Sequence, residues 1–203
     1  MITILTGKSG SGKDTLLNEL VRRETFKPII STTSRPMRNG ETEGKEYYFV
    51  SKEEFIKRIE EDKFLEYRSY NTLVEGVPDI WYYGSPKLAI DEIARSEYIT
   101  VLDFEGAEKY INTYGSENCF IVYLEIDDKT RKERAMLRGS FDETEWNRRL
   151  EDDAVKFSEE KINSLANLRL INDFSISDLA DKLDEKLVLY ELDIYEEKDN
   201  NYE

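Results

Sequence analysis

The chain has 203 residues, with 44 acidic side chains against 29 lysines and arginines, and it carries a formal net charge of −15. This balance argues against a protein that coats nucleic acid or an anionic membrane, so any anionic ligand must be held by a local group of basic residues. The sequence contains no histidine. That excludes imidazole catalysis and histidine-bound metals but leaves phosphoryl transfer open, because that reaction depends on positioning and charge neutralisation.

The length fits one main domain with room for a small inserted lobe. The only cysteine, Cys119, lies in an apolar run, and we predict that it is a buried packing residue in a reducing compartment. The sequence predicts neither a signal peptide nor a membrane span, since its first strand begins at Ile2. We therefore expect a cytoplasmic protein.

The most informative stretch lies between the first predicted strand and the first predicted helix. It reads G-K-S-G-S-G-K and fits the phosphate-binding pattern Gly-x-x-x-x-Gly-Lys. A Gly/Ser-rich turn without a ligand is the alternative, but the flanking strand and helix favour a phosphate loop, whose N–H groups and helix N-terminus attract a phosphate. We predict that a nucleoside triphosphate binds to Gly7, Ser9, Gly10, Ser11, Gly12, Lys13, Asp14 and Thr15.

Asp14 departs from the usual form of this loop, in which a serine or threonine hydroxyl after the lysine holds magnesium. A carboxylate beside phosphates is repelled unless it turns outward or a metal lies between them. Magnesium commonly keeps several waters in proteins, so an indirect contact through water is compatible with Asp14. The sequence leaves both orientations open.

Apolar β-prone runs alternate with helical patterns along most of the chain, which favours a parallel sheet covered by helices. The predicted sheet strands are Ile2–Thr6, Pro28–Thr32, Ile99–Asp103, Cys119–Glu125 and Leu168–Asn172. The predicted helices are Asp14–Arg23, Pro86–Arg95, which Ser85 is predicted to cap, Asp128–Arg138, Glu143–Asn163 and Ile176–Tyr190. Residues 191–203 are predicted to form a frayed acidic tail rather than a partner motif.

Between residues 33 and 85 the pattern changes to short strands around one helix. Tyr47–Val50 and Phe64–Tyr67 are predicted strands, and Ser51 opens a capping box before the predicted helix Lys52–Asp62. We interpret this segment as a β-rich lobe that carries a second substrate.

A second phosphate site is predicted in this lobe. Arg35 and Arg38 are three positions apart and are flanked by hydroxyl side chains and a glycine turn, so both guanidinium groups can converge on one phosphate. Tyr47 lies after a short hairpin, and its hydroxyl can donate a further hydrogen bond to the same phosphate. A solvated basic turn is the alternative for this stretch alone. Together with the phosphate loop, however, two such sites indicate phosphoryl transfer between two phosphorylated molecules.

The segment that contains this second phosphate site resembles the guanylate kinase family. Ser31–Val50, followed by S-K-E-E-F, F-L-E-Y and Y-Y-G-S, is similar to that family's monophosphate-binding lobe, and the resemblance runs in order from Ile4 to Leu189. It implies an α/β fold with a P-loop NTPase-type parallel sheet flanked by helices, an inserted β-rich monophosphate-binding lobe and a helical lid.

The resemblance also implies roles for individual side chains in the acceptor site. The acceptor phosphate would be held by Ser31, Arg35, Arg38 and Tyr47, with Tyr83 closing over it. Glu66 and Ser85 would read the guanine edge, since guanine offers two adjacent N–H donors that one carboxylate can accept together.

Two departures from the family leave base specificity open. The chain inserts Leu73–Trp81 before Y-Y-G, as a longer loop that either reshapes the base pocket or is a surface excursion. After the third sheet strand the spacing is shorter than in the family, so Glu105 is only a candidate for the family's second guanine-reading acid. Asp103 resembles a Walker B carboxylate that holds a magnesium-bound water.

An arginine-rich helix–loop–helix follows, with Arg134 and Arg138 four positions apart and Arg149 on the next predicted helix. A solvated charged face is the ordinary explanation of such spacing. In guanylate kinases, however, the corresponding segment, here about 138–149, is a lid. By that resemblance the three arginines stabilise the moving phosphoryl group with Lys13 and exclude water, and Asn172 lies near the adenine.

The sequence thus predicts a kinase that uses ATP and Mg²⁺ to phosphorylate a nucleoside monophosphate, most simply GMP or dGMP. Its partners are predicted to be small-molecule nucleotides, not nucleic acid or membrane, and the sequence does not indicate an oligomeric state. Residues 1–190 form one domain, made of a core (1–32 and 86–190) and the lobe (33–85). The alternatives are a kinase for another (deoxy)nucleoside monophosphate and a non-catalytic interaction domain of the same fold.

Overall fold

The computed structural model describes residues 1–38, 40–74, 77–137, 141 and 143–200. Its strands are β1 (Ile2–Thr6), β2 (Lys27–Pro28), β3 (Thr32–Thr33), β4 (Tyr48–Phe49), β5 (Phe64–Val74), β6 (Val77–Pro86), β7 (Tyr98–Val101), β8 (Cys119–Glu125) and β9 (Leu168–Ile171). Its α-helices are α1 (Lys13–Arg22), α2 (Lys52–Glu60), α3 (Ile90–Ile93), α4 (Phe104–Tyr114), α5 (Asp128–Leu137), α6 (Glu143–Lys156), α7 (Glu159–Leu165) and α8 (Ile176–Asn200). Within these ranges no helix is both long and apolar enough to cross a membrane.

Five strands form a parallel sheet in the order β2–β7–β1–β8–β9. The central strand β1 is buried along its whole length. Because side chains alternate between the two faces of a strand, Ile4 packs with α4 and α7 on one face, while Leu5 packs with α1 and α8 on the other. The prediction of a parallel sheet flanked by helices is therefore confirmed.

Cys119 begins β8 and is 2% exposed, as the sequence predicted. Burial raises the pKa of its thiol to about 11, which keeps the sulfur protonated at neutral pH. A protonated, buried thiol behaves as a small apolar packing group.

A second sheet, in the order β4–β3–β6–β5, forms the predicted β-rich lobe. The lobe has an aromatic core, in which Phe55 of α2 stacks on Phe64 with ring centroids 4.5 Å apart. Gly84 of β6 allows this packing, because a Cβ there would lie 2.8 Å from the Phe64 ring. As the capping box predicted, Ser51 begins α2, and its Oγ accepts a hydrogen bond from the Glu54 N–H at 3.1 Å.

The described residues of the insertion Leu73–Trp81 lie in two paired strands, so the prediction of a longer loop is wrong for them, while residues 75 and 76 lie outside the described ranges. β5 and β6 pair antiparallel from Glu66 opposite Ser85 to Val74 opposite Val77. Val74, Val77, Ile80 and Trp81 are β-branched or aromatic and favour a strand. The extra length therefore lengthens both strands of this ladder.

Three further element predictions need correction. The predicted strand Pro28–Thr32 divides into β2 in the parallel sheet and β3 in the lobe. The predicted helix Pro86–Arg95 is wrong over its first half, because pairing with β5 holds Ser85 and Pro86 in β6, so Ser85 caps no helix there. Helix α4 was not predicted, although Asp103 begins it by accepting a hydrogen bond from the Gly106 N–H at 3.1 Å.

The C-terminal helices also differ from their predicted bounds. The predicted helix Glu143–Asn163 is divided at Phe157 and Ser158, where the Ser158 side chain caps α7. Helix α8 continues to Asn200 instead of ending at Tyr190. The acidic segment after Tyr190 contains no glycine or proline, so no residue type in it breaks the helix. The predicted fraying of residues 191–200 is therefore corrected, and residues 201–203 lie outside the described ranges.

Two leucines of α8 test how the sheet and its helices are held together. Leu183 is fully buried, whereas Leu189 is 46% exposed. We expect Leu183→Ala to lower the free energy of unfolding by about 2–5 kcal/mol through the cavity that it leaves. Leu189→Ala, the matched control, should cost less than about 1 kcal/mol. Urea denaturation of both variants checks this, and equal losses would contradict the packing of α8 described above.

Candidate active site

The phosphate loop closes around the ammonium group of Lys13. Lys13 Nζ donates to the carbonyl oxygens of Gly7 at 2.8 Å and Lys8 at 3.0 Å. Gly12 precedes α1 with φ 98°, a conformation that favours glycine. A Cβ there would lie 2.5 Å from Asn172 Nδ2, so this position also lacks space for a side chain.

A cavity of about 360 Å³ lies beside the loop. Its lining includes two loop glycines, one residue each of α1 and α5, and residues that follow β9, namely Gly10, Gly12, Thr15, Arg134, Asn172 and Phe174. Asn172 is 5% exposed, and its Nδ2 donates to the Ser11 carbonyl at 2.7 Å. The structure thus brings two predicted residues, Arg134 and Asn172, to the loop. Arg138 lies outside the described residues, and Phe174 was not predicted.

Ser9 in the loop is held by an ion pair that the sequence did not predict. Its N–H donates to Asp153 Oδ2 at 3.0 Å, and its carbonyl accepts from Arg131 Nε at 2.8 Å. Arg131 is fully buried and donates to Asp153 at 2.7 Å. Burial raises the pKa of Asp153, and the charge of Arg131 opposes that rise. This pair connects the loop to α5 and α6.

Arg149 of α6, predicted as a lid residue, also reaches the loop. Its Nη1 lies 3.3 Å from Ser9 Oγ. The neighbouring Arg148 and Arg149 both line the cavity that contains Glu66 and Ser85. Helices α5 and α6 therefore each bring an arginine to the phosphate loop, Arg134 beside Gly12 and Arg149 beside Ser9.

The predicted acceptor arginines lie at the edge of the lobe. Arg35 is 3% exposed and forms a two-pronged ion pair with Glu41, at 3.0 Å and 2.8 Å. Its guanidinium carbon also lies 5.6 Å from the centroid of the Tyr47 ring. Arg38 is exposed, and its main-chain N–H donates to Glu41 at 2.7 Å. Glu41, which was not predicted, thus orients the Arg35 guanidinium and holds the main chain at Arg38.

The predicted acceptor residues line a cavity of about 400 Å³ together with Asp14, the second residue of α1. Its lining includes Asp14 at the start of α1 and the predicted acceptor residues Ser31, Arg35, Arg38, Tyr47 and Tyr83. Burial raises the pKa of Tyr47, and the Asp14 carboxylate adds to that rise. Tyr47 and Tyr83 meet edge to face with ring centroids 5.8 Å apart. Asp14, which directly follows the phosphate loop, therefore lies in the same cavity as the predicted acceptor residues.

The predicted base-reading residues lie in an adjoining cavity of about 410 Å³. Glu66 is 7% exposed, and its Oε1 accepts a hydrogen bond from Ser85 Oγ at 2.8 Å. Ser31 Oγ lies 3.4 Å from Ser85 Oγ. Glu66 Oε2 is buried and receives no hydrogen bond from the described part of the chain. Its nearest cation in the described chain is Arg68 Nε at 3.4 Å. A buried carboxylate oxygen that receives no hydrogen bond is suited to accept N–H groups from a ligand.

Asp103 and Glu105 lie beside this cavity and face Arg68, which was not predicted. Both oxygens of Asp103 accept from the Arg68 guanidinium, and Oδ1 also caps α4. Glu105 is mostly exposed, and its carboxylate lies 3.7 Å from Arg68. Among the described side chains, no three potential ligands form a group that could hold a metal ion. The metal role of Asp103 stays a prediction, and its bonded oxygens do not favour it.

The ion pair at Ser9 gives a testable prediction. We expect Asp153→Ala to lower the free energy of unfolding by about 3 kcal/mol, because it leaves the buried charge of Arg131 without a carboxylate. Asp152→Ala is the matched control, since Asp152 pairs with Lys156 at the surface, and it should cost less than about 1 kcal/mol. Urea denaturation measures both losses. Similar values for the two neighbours would show that the pair does not hold the loop.

The chain is similar in sequence and fold to proteins of one family. The family model described as Guanylate kinase matches residues 1–186. The chain is 33% identical to the guanylate kinase of Clostridium tetani over 186 residues, which cover 90% of this chain and 83% of that protein. It is 32% identical to the guanylate kinase of Clostridium acetobutylicum over 202 residues, which cover 98% and 90%.

A solved guanylate kinase from Anaplasma phagocytophilum has the same fold. Its TM-score is 0.62 at 23% identity, and the match covers 94% of this chain and 85% of that one. The family model spans nearly the whole described chain, and the two Clostridium proteins align over most of their own length. This chain belongs to the guanylate kinase family.

Proposed function

We propose that this protein transfers the γ-phosphoryl group of ATP to GMP or dGMP, which yields ADP and the corresponding diphosphate. The observation that supports this proposal most directly is the cavity shared by Asp14 at the phosphate loop and by Arg35, Arg38 and Tyr47 of the lobe. Two phosphorylated ligands bound at these two sites would place donor and acceptor phosphates side by side. Positioning of this kind supplies a large part of the rate in phosphoryl transfer.

The transfer itself needs no covalent enzyme intermediate. An oxygen of the acceptor phosphate attacks the γ-phosphorus, and the bond from that phosphorus to the β-phosphate oxygen breaks in line as ADP leaves. Arg35 and Arg38 would orient the attacking phosphate. Lys13, together with Arg134 and Arg149 from the lid side, would neutralise the charge that spreads over the moving group.

Guanine recognition would rest on Glu66 and Ser85. The Ser85 hydroxyl holds Glu66 Oε1, and Oε2 remains directed at the cavity without a hydrogen bond from the described residues. The carboxylate would accept the N1–H and an N2–H of guanine. Adenine presents a lone pair at N1, so the same carboxylate would repel it.

The donor set of the cleft fits Mg²⁺ at Asp14. Magnesium in kinase sites takes one or two carboxylates and completes its shell with phosphates and water, and Asp14 is a carboxylate that lines the cavity between the two anion sites. When bound, the ion would neutralise charge on the outer phosphates of ATP. Asp14 would hold the ion directly or through water, and its carboxylate would then no longer oppose the phosphates.

We extend the proposal to the setting of the protein. The net charge of −15 favours small nucleotides over nucleic acid as partners, and a nucleotide kinase without a membrane-spanning helix in its described ranges would act in the cytoplasm. Residues 1–190 would act as one domain, with 33–85 as the acceptor lobe and 138–149 as the lid.

A panel of monophosphates tests the proposed substrate. In a coupled assay for ADP release, we expect GMP and dGMP to react at least about 100-fold faster, as kcat/KM, than AMP, CMP or UMP, because a buried carboxylate rejects bases that lack paired N–H donors. If the protein turns over a different monophosphate but neither GMP nor dGMP, the assignment of guanine is overturned. No turnover with any monophosphate would instead favour the interaction-domain alternative.

A lysine substitution tests the role of the phosphate loop in the same assay. We expect Lys13→Ala to lower kcat by about 10²- to 10³-fold, since it removes a preorganised charge from the transferring phosphates. Lys27→Ala is the control, because Lys27 is exposed and bonds Ser96 at the far edge of the sheet. An unchanged kcat in Lys13→Ala would contradict the proposed site.

A further inference from the structure

Arg68 lies in the base cavity beside the predicted guanine reader. Arg68 and Glu66 are two positions apart on β5, so their side chains leave the same face of the strand, and both line the cavity. Arg68 Nε lies 3.4 Å from Glu66 Oε2, which is the carboxylate oxygen that receives no hydrogen bond from the described residues.

Asp103 fixes the guanidinium group in this position. The two Nη atoms of Arg68 bond the two oxygens of Asp103, one on each side, and the Gly106 N–H holds Asp103 Oδ1 at 3.1 Å. A two-pronged pair of this kind sets the plane of the guanidinium as well as its position. Asp103 therefore presents the Nε edge of Arg68 toward Glu66. The Arg68 side chain is 20% exposed, so the cavity retains access to it.

The base cavity thus contains an acceptor and a donor next to each other. Guanine presents the matching order along one edge, which is the N2–H and N1–H donors followed by the O6 acceptor. Adenine presents the opposite order at the corresponding atoms, with a lone pair at N1 and an N–H at C6. In the guanine complex, one carboxylate oxygen would accept N2–H and the other would accept N1–H. O6 lies next to N1, so a donor a few ångströms from the oxygen that accepts N1–H is close enough to bond O6.

We propose that Arg68 is a specificity-determining residue that donates a hydrogen bond to O6 of the acceptor guanine, while Asp103 holds it in place. The inference rests on the proposed function, since it names a further contact of the same acceptor site. It gives Asp103 a positioning role in the base cavity. It also explains how the carboxylates of Glu66, Asp103 and Glu105 can lie near one another, because a single guanidinium contacts all three.

A substrate analogue separates this role from simple charge balance. In 6-thio-GMP a sulfur, which is a weak acceptor, replaces O6, while the N1–H and N2–H donors are kept. We expect wild-type protein to favour GMP over 6-thio-GMP by about 10- to 100-fold in kcat/KM, the range of a hydrogen bond from a charged donor. Arg68→Met should lower kcat/KM for GMP by a similar factor and should change the value for 6-thio-GMP less than about 3-fold, so the preference disappears.

Two further variants keep the test decisive. Arg68→Met leaves Asp103 without its cation, so we expect the double variant R68M/D103N, which restores the charge balance, to fold and to show the same loss of preference. Arg58→Met is the control, because Arg58 pairs with Glu54 on the surface of α2, and it should keep the wild-type preference for GMP.

The outcomes of the test are distinct. An equal fall for GMP and 6-thio-GMP in both Arg68 variants would show a structural role and overturn the proposal. An unchanged preference would overturn it as well, while the proposed GMP kinase activity of the wild type would stand. If the wild type does not turn over GMP at all, both proposals fail together.

Discussion

The constraint on which this structure depends is that an acidic protein must hold two polyanions. With a net charge of −15, its long-range field repels nucleotides, so binding relies on cations held at fixed places in the cleft. Three arginines around the cleft are each held by a carboxylate, and these pairs are Arg35–Glu41, Arg68–Asp103 and Arg131–Asp153. Each pair restricts its arginine side chain in the free protein, and for an arginine that contacts a ligand such ordering lowers the entropy lost on binding.

The three pairs serve different parts of the cleft. Arg35 lies in the predicted acceptor site, Arg68 in the cavity of Glu66 and Ser85, and Arg131 beside the phosphate loop. A carboxylate beside each arginine offsets much of its charge, so it also limits the attraction of that arginine for phosphate. In the proposed function the remaining attraction would come from the loop N–H groups, Lys13, Arg134 and Arg149.

The parallel sheet explains why these groups meet. The phosphate loop follows β1, Asp103 follows β7, α5 follows β8 and Asn172 follows β9, and the carboxyl ends of parallel strands lie along one edge of a sheet. The lobe is inserted between β2 and β7, so its strands return to the same edge. Sheet topology thus gathers residues from across the sequence into a single cleft.

The parts of the site that lie within one short stretch of sequence could be predicted from the sequence. The phosphate loop and the segment around Arg35 and Arg38 each form within a short stretch, so spacing alone carries their chemistry. The pairs Arg68–Asp103 and Arg131–Asp153 join residues 35 and 22 positions apart. The sequence around each residue contains no pattern that identifies so distant a partner. The helix predicted at Pro86 was wrong for a similar reason, because pairing with β5 overrode the local signal.

If the triphosphate site and the acceptor site lie within reach of one phosphoryl transfer, a single ligand can span both of them. Guanosine and adenosine joined through their 5′ oxygens by five phosphates can occupy both sites at once. By titration calorimetry, we expect one such molecule per chain, bound at least about 100-fold more tightly than ATP or GMP alone, because the second contact becomes intramolecular. An affinity no better than that of ATP, or two molecules bound per chain, would contradict the account.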